Sequence, residues 1–309
     1  MTEMFVRRVD DSNPDLLAVN AARVSFGRFK TEFDDKDRKL LHYLAKHNHW
    51  SPFSHPRYTG RFVFTNQVID NILEDRTLSA GIASLRILDS GVTVKVIEAN
   101  ISLYGLFRLG GHWMVKEIAP ECYAALDAHR DRILPAKPCG MLIRDKAVLK
   151  FPELQSATFH VRAPIDVARQ LVKHTQGVSW NEISRRYVDF EPEFYMWEEG
   201  VRERAENKKQ GSAGEFEDDT HYKALLQYNT ESCLRNYRTA LECGICPEQA
   251  RELLPINMMT EWYWTTTLEH WDRILKQRLD SHAQKETQYA AHLLKEGLIR
   301  AYPGQRFGD

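Results

Sequence analysis

The stretch SATFHVRAPIDVARQLVKHTQGVSWNEISRRY, residues 156–187, decides how this chain is read. Its first part reads as a strand, turns at Pro164 and continues with helical spacing. Pro164 suits the first helical turn, where a missing N–H costs nothing. Ile165, Ala168 and Val172 form an apolar stripe, while Asp166, Gln170, Lys173 and His174 share the polar face. The helix runs into KHTQGVSWNEISRRY (173–187), where only Val178, Trp180 and Ile183 are clearly apolar. Here a loop of small and hydroxyl residues follows the polar face, and Ser184, Arg185 and Arg186 come soon after. Ser hydroxyls, loop N–H groups and Arg forks hold phosphates, and Glu182 adds an acceptor for a sugar hydroxyl. On spacing alone this is either a site for a small phosphorylated, hydroxyl-bearing ligand or a solvated helix end with surface salt bridges. Arg251 and Arg278 stand in apolar surroundings, which is costly for an Arg unless an anion pairs with it. That anion is a ligand or a structural carboxylate.

Around this stretch, DDKDRKLLHYLAKHNHW (34–50) has acidic residues first and basic residues last, as a helix macrodipole favours. RYTGRFVFT (57–65) and VTVKVIEA (92–99) read as strands. HWMVKEIAPECYAALDAHRDRIL (112–134) reads as helical around Pro120. Residues 202–219 read as a mobile polar loop, and a long helix follows over 220–242. Thr266-x-x-Glu269 and Ser281-x-x-Gln284 are capping-box patterns that open two further helices.

The 309 residues are 43% hydrophobic and 28% charged, with a net charge of −1. This supports a substantial core and argues against broad binding of nucleic acid or of an anionic membrane. No stretch approaches the ~20 apolar residues of a membrane span, and the N-terminus lacks a signal-peptide apolar run. A cytoplasmic protein is expected. The five cysteines are too few for a disulfide framework, and Cys243-x-x-Cys246 lacks the second pair that a zinc site needs. A cysteine nucleophile at Cys139 lacks an activating neighbour in sequence. A zinc hydrolase built on His42, His47, His49 and His55 lacks the required spacing. No metal is expected.

Five blocks occur in one order: AARVSFG (21–27), YLAKHNHWSPFSH (43–55), FHVRAPIDVARQLVKH (159–174), SWNEISRRY (179–187) and QARELLPINMMTEWYWTTTLEHWDRILKQRLDSHAQKE (249–286). Together they resemble the flavin-dependent thymidylate synthases. The resemblance implies an α/β (α+β) fold, a mixed β-sheet flanked by helices. It makes residues 1–309 a single domain, with 64–154 inserted relative to compact members. It also implies reductive methylation of dUMP to dTMP, with methylenetetrahydrofolate as carbon donor, FAD as cofactor and NADPH as reductant. The assembly implied is a homotetramer whose sites form between subunits.

By matching positions, the resemblance makes Arg278 the catalytic residue, facing the uracil. Gln170, Lys173, Glu182, Ser184, Arg185, Arg186 and Arg251 join it in holding dUMP. The FAD positions are Ser25, His49, Ser51, Lys173, His174, Thr175, Glu182, Thr267 and Arg273.

The flavin side departs from the family pattern. Lys173-His174-Thr175 replaces Arg-His-Arg, and eight residues rather than seven precede Ser184. Ser54 replaces a flavin-contacting Glu. Thr267, Arg273 and Glu269 replace two Asn and one Arg. These departures point to FAD being held differently, with help from residues 64–154. They also keep two alternatives open: a relative that transfers another one-carbon group such as hydroxymethyl, and a nucleotide-binding homologue that has lost FAD.

Overall fold

The computed structural model describes residues 3–135, 143–145, 150–188, 190–197, 201–206 and 212–309. In chain order, β1 (Phe5–Arg8) precedes α1 (Pro14–Arg23), which Asn13 caps by accepting from the Leu16 N–H. Next comes α2 (Asp35–Lys46), with Asp34 and Asp37 forming a reciprocal capping box. β2 (Arg57–Thr65) falls where the sequence suggested a strand. The short helices α3 (Asn66–Glu74) and α4 (Arg76–Ser79) lead to the antiparallel pair β3 (Ile82–Ser90) and β4 (Val94–Ser102). α5 (Leu103–Arg108) follows, unanticipated, and the expected helical run over 112–134 divides into α6 (His112–Ile118), α7 (Pro120–Asp127) and α8 (Arg130–Ile133). Pro120 starts α7, where it lacks no needed hydrogen bond. β5 (Ile143–Asp145) completes a sheet of order β3-β4-β2-β5.

β2 crosses residue 64, and β4 pairs with it from Arg57↔Ser102 to Thr65↔Val94. One core joins Phe62, Phe64, Ile97 and Phe107 to Val19 of α1 and Leu41 of α2. Residues 64–154 therefore share a sheet and a core with the N-terminal helices.

The second sheet, β1-β6-β10-β7, carries the stretch that opened the sequence reading. β6 (Ser156–Pro164) buries Ala157, Phe159, Val161 and Ala163 against α9 (Ile165–Leu171), α12 (Leu268–Arg278) and α13 (Lys285–Ala301). Pro164 ends the strand and caps α9 rather than entering its first turn, because it stays extended (ψ 157°) to pair with Met259. The buried stripe of α9 is Val167, Ala168 and Leu171, rotated from the expected Ile165, Ala168 and Val172. β7 (Ser179–Glu182) is a short strand where a loop was expected. β10 (Met259–Thr267), not anticipated from sequence, pairs with β6 over its whole length and with β7. It is buried on both faces, so its run of aromatics and threonines shows no alternation. The expected mixed sheet thus takes the form of two four-stranded sheets, and every pairing among the described strands is antiparallel.

The polar segment 202–219 contains the paired strands β8 (Arg202–Arg204) and β9 (Ser212–Glu215) rather than only loop. α10 (Thr220–Glu242) matches the expected long helix, and α11 (Pro247–Ala250) follows. Neither late capping box forms. The Thr266 hydroxyl donates to the Gly177 carbonyl, and Glu269 pairs with Arg86. α13 begins at Lys285, with Gln284 rather than Ser281 in the cap position.

Candidate active site

β10 organises two clusters of the expected site residues, one at each end. Its Met259 end borders a cavity of about 280 Å³ lined by Glu182, Arg185, Arg251, Met259 and Thr260. The Glu182 carboxylate is aimed by two donors, Thr260 Oγ1 at 2.6 Å and Trp180 Nε1 at 3.2 Å. Ser25 Oγ donates to the Glu182 carbonyl at 3.0 Å, and the Ser184 N–H donates to the Ser25 carbonyl at 3.1 Å. These bonds dock the turn after α1 onto the 182–184 segment. Arg186 reaches Glu248 Oε1 at 3.4 Å, and Arg251 Nε donates to the Glu248 carbonyl at 3.1 Å. Both arginines are therefore tethered at the same residue. Arg251 is exposed, not buried as its apolar neighbours suggested, because its short helical turn projects it outward. Arg185 is the buried one. It lies over the Phe190 ring at 4.6 Å and donates to the Phe190 carbonyl.

The Thr267 end lies near a second cavity of about 210 Å³. Lys173, His174, Thr175, His270 and Arg273 are among its lining residues. Thr260 and Thr266, one beside each cavity, are six strand residues apart, or about 20 Å. Lys173 and Arg273 are exposed and make no ion pair among the described residues. Two unpaired cations on one cavity suit the diphosphate of a dinucleotide, so the donor set fits FAD there. Thr267, in contrast, is fully buried, and its hydroxyl bonds to Ser84 Oγ of β3 at 3.0 Å. Glu269 is taken up by Arg86 of the same strand. His49 and Ser51 are exposed on the loop between α2 and β2, and they line neither cavity.

Arg278, at the end of α12, is fixed against α9. Its Nε donates to His174 Nε2 at 2.8 Å, and its Nη2 donates to the Gln170 carbonyl at 2.8 Å. Nη1 makes no hydrogen bond among the described residues. Burial, then the charge of Arg278, pull the His174 pKa down to about 4. The imidazole is therefore neutral at pH 7 and can accept from the guanidinium. Burial also lowers the Arg278 pKa. The Gln170 amide donates to Gln284.

Sequence reasoning missed a polar network between the two sheets. His55, fully buried, bonds Thr265 Oγ1 at 2.7 Å and Asn181 Oδ1 at 3.2 Å, and Thr265 bonds Thr158 at 2.8 Å. The available signal was a strand, RYTGRFVFT, with Arg57, Thr59 and Arg61 on one face. That face is not solvated: it meets Asn100 and the buried carboxylate of Glu98. Among the described residues no group of three His, Cys, Asp or Glu side chains is placed to hold a metal ion. None of their helices is long and apolar enough to cross a membrane. Cys139 lies outside the described residues, and Cys243 and Cys246 are free and exposed.

Residues 8–130 and 140–304 match the family model described as thymidylate synthase complementing protein. The chain is 29% identical over 310 residues to the flavin-dependent thymidylate synthase of Aquifex aeolicus, covering 91% of this chain and 93% of that protein. It is 42% identical over 148 residues to the enzyme of that name from Thermus thermophilus, covering 47% and 54% respectively. A crystal structure of the UMP/dUMP methylase PolB from Streptomyces cacaoi bound with 5-Br UMP superposes with a TM-score of 0.45. It is 20% identical, over 97% of this chain and 90% of that one. By the extent of the family match, the chain belongs to the thymidylate synthase complementing protein family, that of the flavin-dependent thymidylate synthases.

Proposed function

We propose that this chain methylates dUMP to dTMP in the cytoplasm, with FAD as cofactor and methylenetetrahydrofolate and NADPH as co-substrates. The observation that carries the reading is Arg278. Two of its nitrogens are locked by His174 and Gln170, and the third is left for a ligand. A guanidinium fixed in this way is preorganised for negative charge developing on a uracil ring. Neutral His174 holds the fork without competing for that charge. Ser184, Arg186 and Arg251 supply the phosphate contacts, and the Glu182 carboxylate, aimed by Thr260 and Trp180, takes a sugar hydroxyl. Lys173, Thr175 and Arg273 hold FAD, which when reduced by NADPH supplies the hydride that completes the methyl group.

Residues 64–154 are an insertion in a single domain of 1–309, joined to the rest through β2. Thr260 and Thr266, at the two ends of β10, lie about 20 Å apart along the strand. A homotetramer would let the Met259 end of one copy complete the Thr267 end and Arg278 of another.

Purified protein with oxidised-flavin absorbance that releases C5 hydrogen from dUMP and yields dTMP by mass spectrometry meets the expectation. Colourless protein that takes up no FAD overturns it, and a hydroxymethylated product replaces the methyl assignment. Mixing Arg278→Ala with Arg251→Ala protein restores activity if sites are shared between copies. No restoration removes the sharing.

A further inference from the structure

The described arginines that are buried or half-buried nearly all face a carboxylate. Arg23 meets Asp37, Arg61 meets Glu98 and Arg202 meets Glu286, and Arg8, Arg86, Arg108 and Arg162 are likewise paired. Arg185 has Glu193 and Glu191 within electrostatic reach. Two lack any such partner. One is Arg278, and the other is Arg57, at the start of β2.

Arg57 Nη1 donates to Asn100 Oδ1 and Nη2 donates to Ser179 Oγ, both at 3.2 Å. Both acceptors are neutral. Its Nε is closed off from solvent and has no partner. Burial pulls the guanidinium pKa down to about 10, so the group remains charged at neutral pH. A buried cation with neutral partners is costly until an anion meets it.

Its position indicates which anion. Ser179, the Nη2 partner, follows Val178, which lines the second cavity together with His270. Gly177 packs against the His270 ring, and the charge of Arg57 reaches that ring and helps to lower its pKa. At this end of β10, β3 has already taken up Thr267 and Glu269.

We infer that Arg57 is a further residue of the flavin site, a buried cation that lines neither cavity but, bonded to Ser179 next to Val178 of the second cavity's lining, supplies counter-charge to bound FAD from behind that lining. The inference rests on the FAD reading above and adds a residue to it. The anionic group is the diphosphate or the electron-rich edge of the flavin ring, and both require the same fixed positive charge.

The test titrates flavin-stripped full-length protein with FAD and with riboflavin, followed by flavin fluorescence, and measures melting with and without FAD. R57Q is expected to weaken FAD binding by about 10- to 100-fold, the scale of removing a unit charge several ångströms from an anion at an effective dielectric of about 20. Its apo melting temperature should stay near wild type, while the rise induced by FAD disappears. Weakening for FAD alone assigns the diphosphate, and weakening for riboflavin as well assigns the ring. N100D keeps Arg57 but gives it a carboxylate, and it should weaken FAD binding too. This second variant carries the test if R57Q does not fold.

FAD affinity unchanged in either folded variant overturns the inference. So does an apo melting temperature that collapses while the FAD-induced rise persists, which is the mark of a purely structural arginine. Wild-type protein that binds no FAD sinks this inference and the proposed function together. Wild-type binding with an indifferent R57Q sinks this inference alone.

Discussion

The two ends of β10 treat their side chains in opposite ways. At the Met259 end, Thr260 spends its hydroxyl on aiming Glu182 into a cavity that Arg185 and Arg251 also line. At the Thr267 end, the hydroxyls of Thr265, Thr266 and Thr267 are consumed inside the protein, on His55, Gly177 and Ser84. The first end offers chemistry to a ligand. The second end fastens the two sheets together, and the cavity near it is lined by the 173–178 loop and α12 instead. This second end is thus the part of β10 where β3 of the other sheet docks.

Arg278 is the sharpest way to break this picture, because it belongs to neither cavity lining and is held by residues of α9 and the loop after it. Arg278→Ala should lower the rate of C5-hydrogen release from dUMP by about 10³-fold, the scale expected for a preorganised charge-stabilising donor. FAD absorbance should be retained. A variant with near-normal turnover would remove Arg278 from the chemistry.

The next effect separates the two ends. Arg251→Ala should raise KM for dUMP by about 10- to 100-fold and leave FAD affinity alone, while Arg273→Ala should do the reverse. Both arginines are exposed, so neither substitution should affect folding. If each variant affected both ligands equally, the assignment of one ligand to each end would fail.

Legibility in sequence followed the same division. β2 alternates between a buried apolar face and a half-buried polar one and could be read from its pattern, as could the alternating start of β4, although β4 is buried on both faces from Ile97 onward. β10 could not, because Trp262 and Trp264 are buried on one face while Tyr263 and Thr265 are buried on the other. The cluster of Glu182, Ser184, Arg185 and Arg186 lies in five residues of chain and needed only short-range reading. Arg57, Ser84 and Arg86 meet Ser179, Thr267 and Glu269 across 122 to 183 residues, and nothing local marks them as inward-facing. The capping boxes at Thr266 and Ser281 failed for a related reason. A tertiary partner, Gly177 or Arg86, outcompeted the local cap at the first.

Gly177→Ala probes the docked end alone. Gly177 has φ +65°, and an added Cβ would lie 2.7 Å from His270 Cε1 and 2.9 Å from the Ala83 carbonyl. One contact is to a ring and the other to backbone of β3, so neither can yield easily. The substitution should cost about 1–3 kcal/mol in urea unfolding and weaken FAD binding, with the dUMP end unaffected. Full stability in this variant would mean that the two sheets are less tightly joined here than their hydrogen bonds imply.

The smallest expected effect is one of pH, and it touches Arg278 and the docked end together. His174 has its pKa pulled down to about 4 and His55 to about 3, in each case first by burial. An unfolded histidine titrates near 6.5. Between pH 6.5 and about 4 the unfolded chain therefore binds protons that folded His174 refuses, and His55 extends the window to about 3. Their contribution to stability is complete above pH 6.5 and is lost as the pH falls through that window. Turnover, in contrast, should show no inflection from His174 between pH 5.5 and 8, because the ring stays neutral and keeps accepting from Arg278. His174→Gln retains an acceptor for Arg278 but cannot titrate. Its melting temperature should therefore fall less than that of wild type between pH 7 and 5. An equal fall in both would mean that His174 is free to protonate in the folded protein, and that Arg278 is held by Gln170 alone.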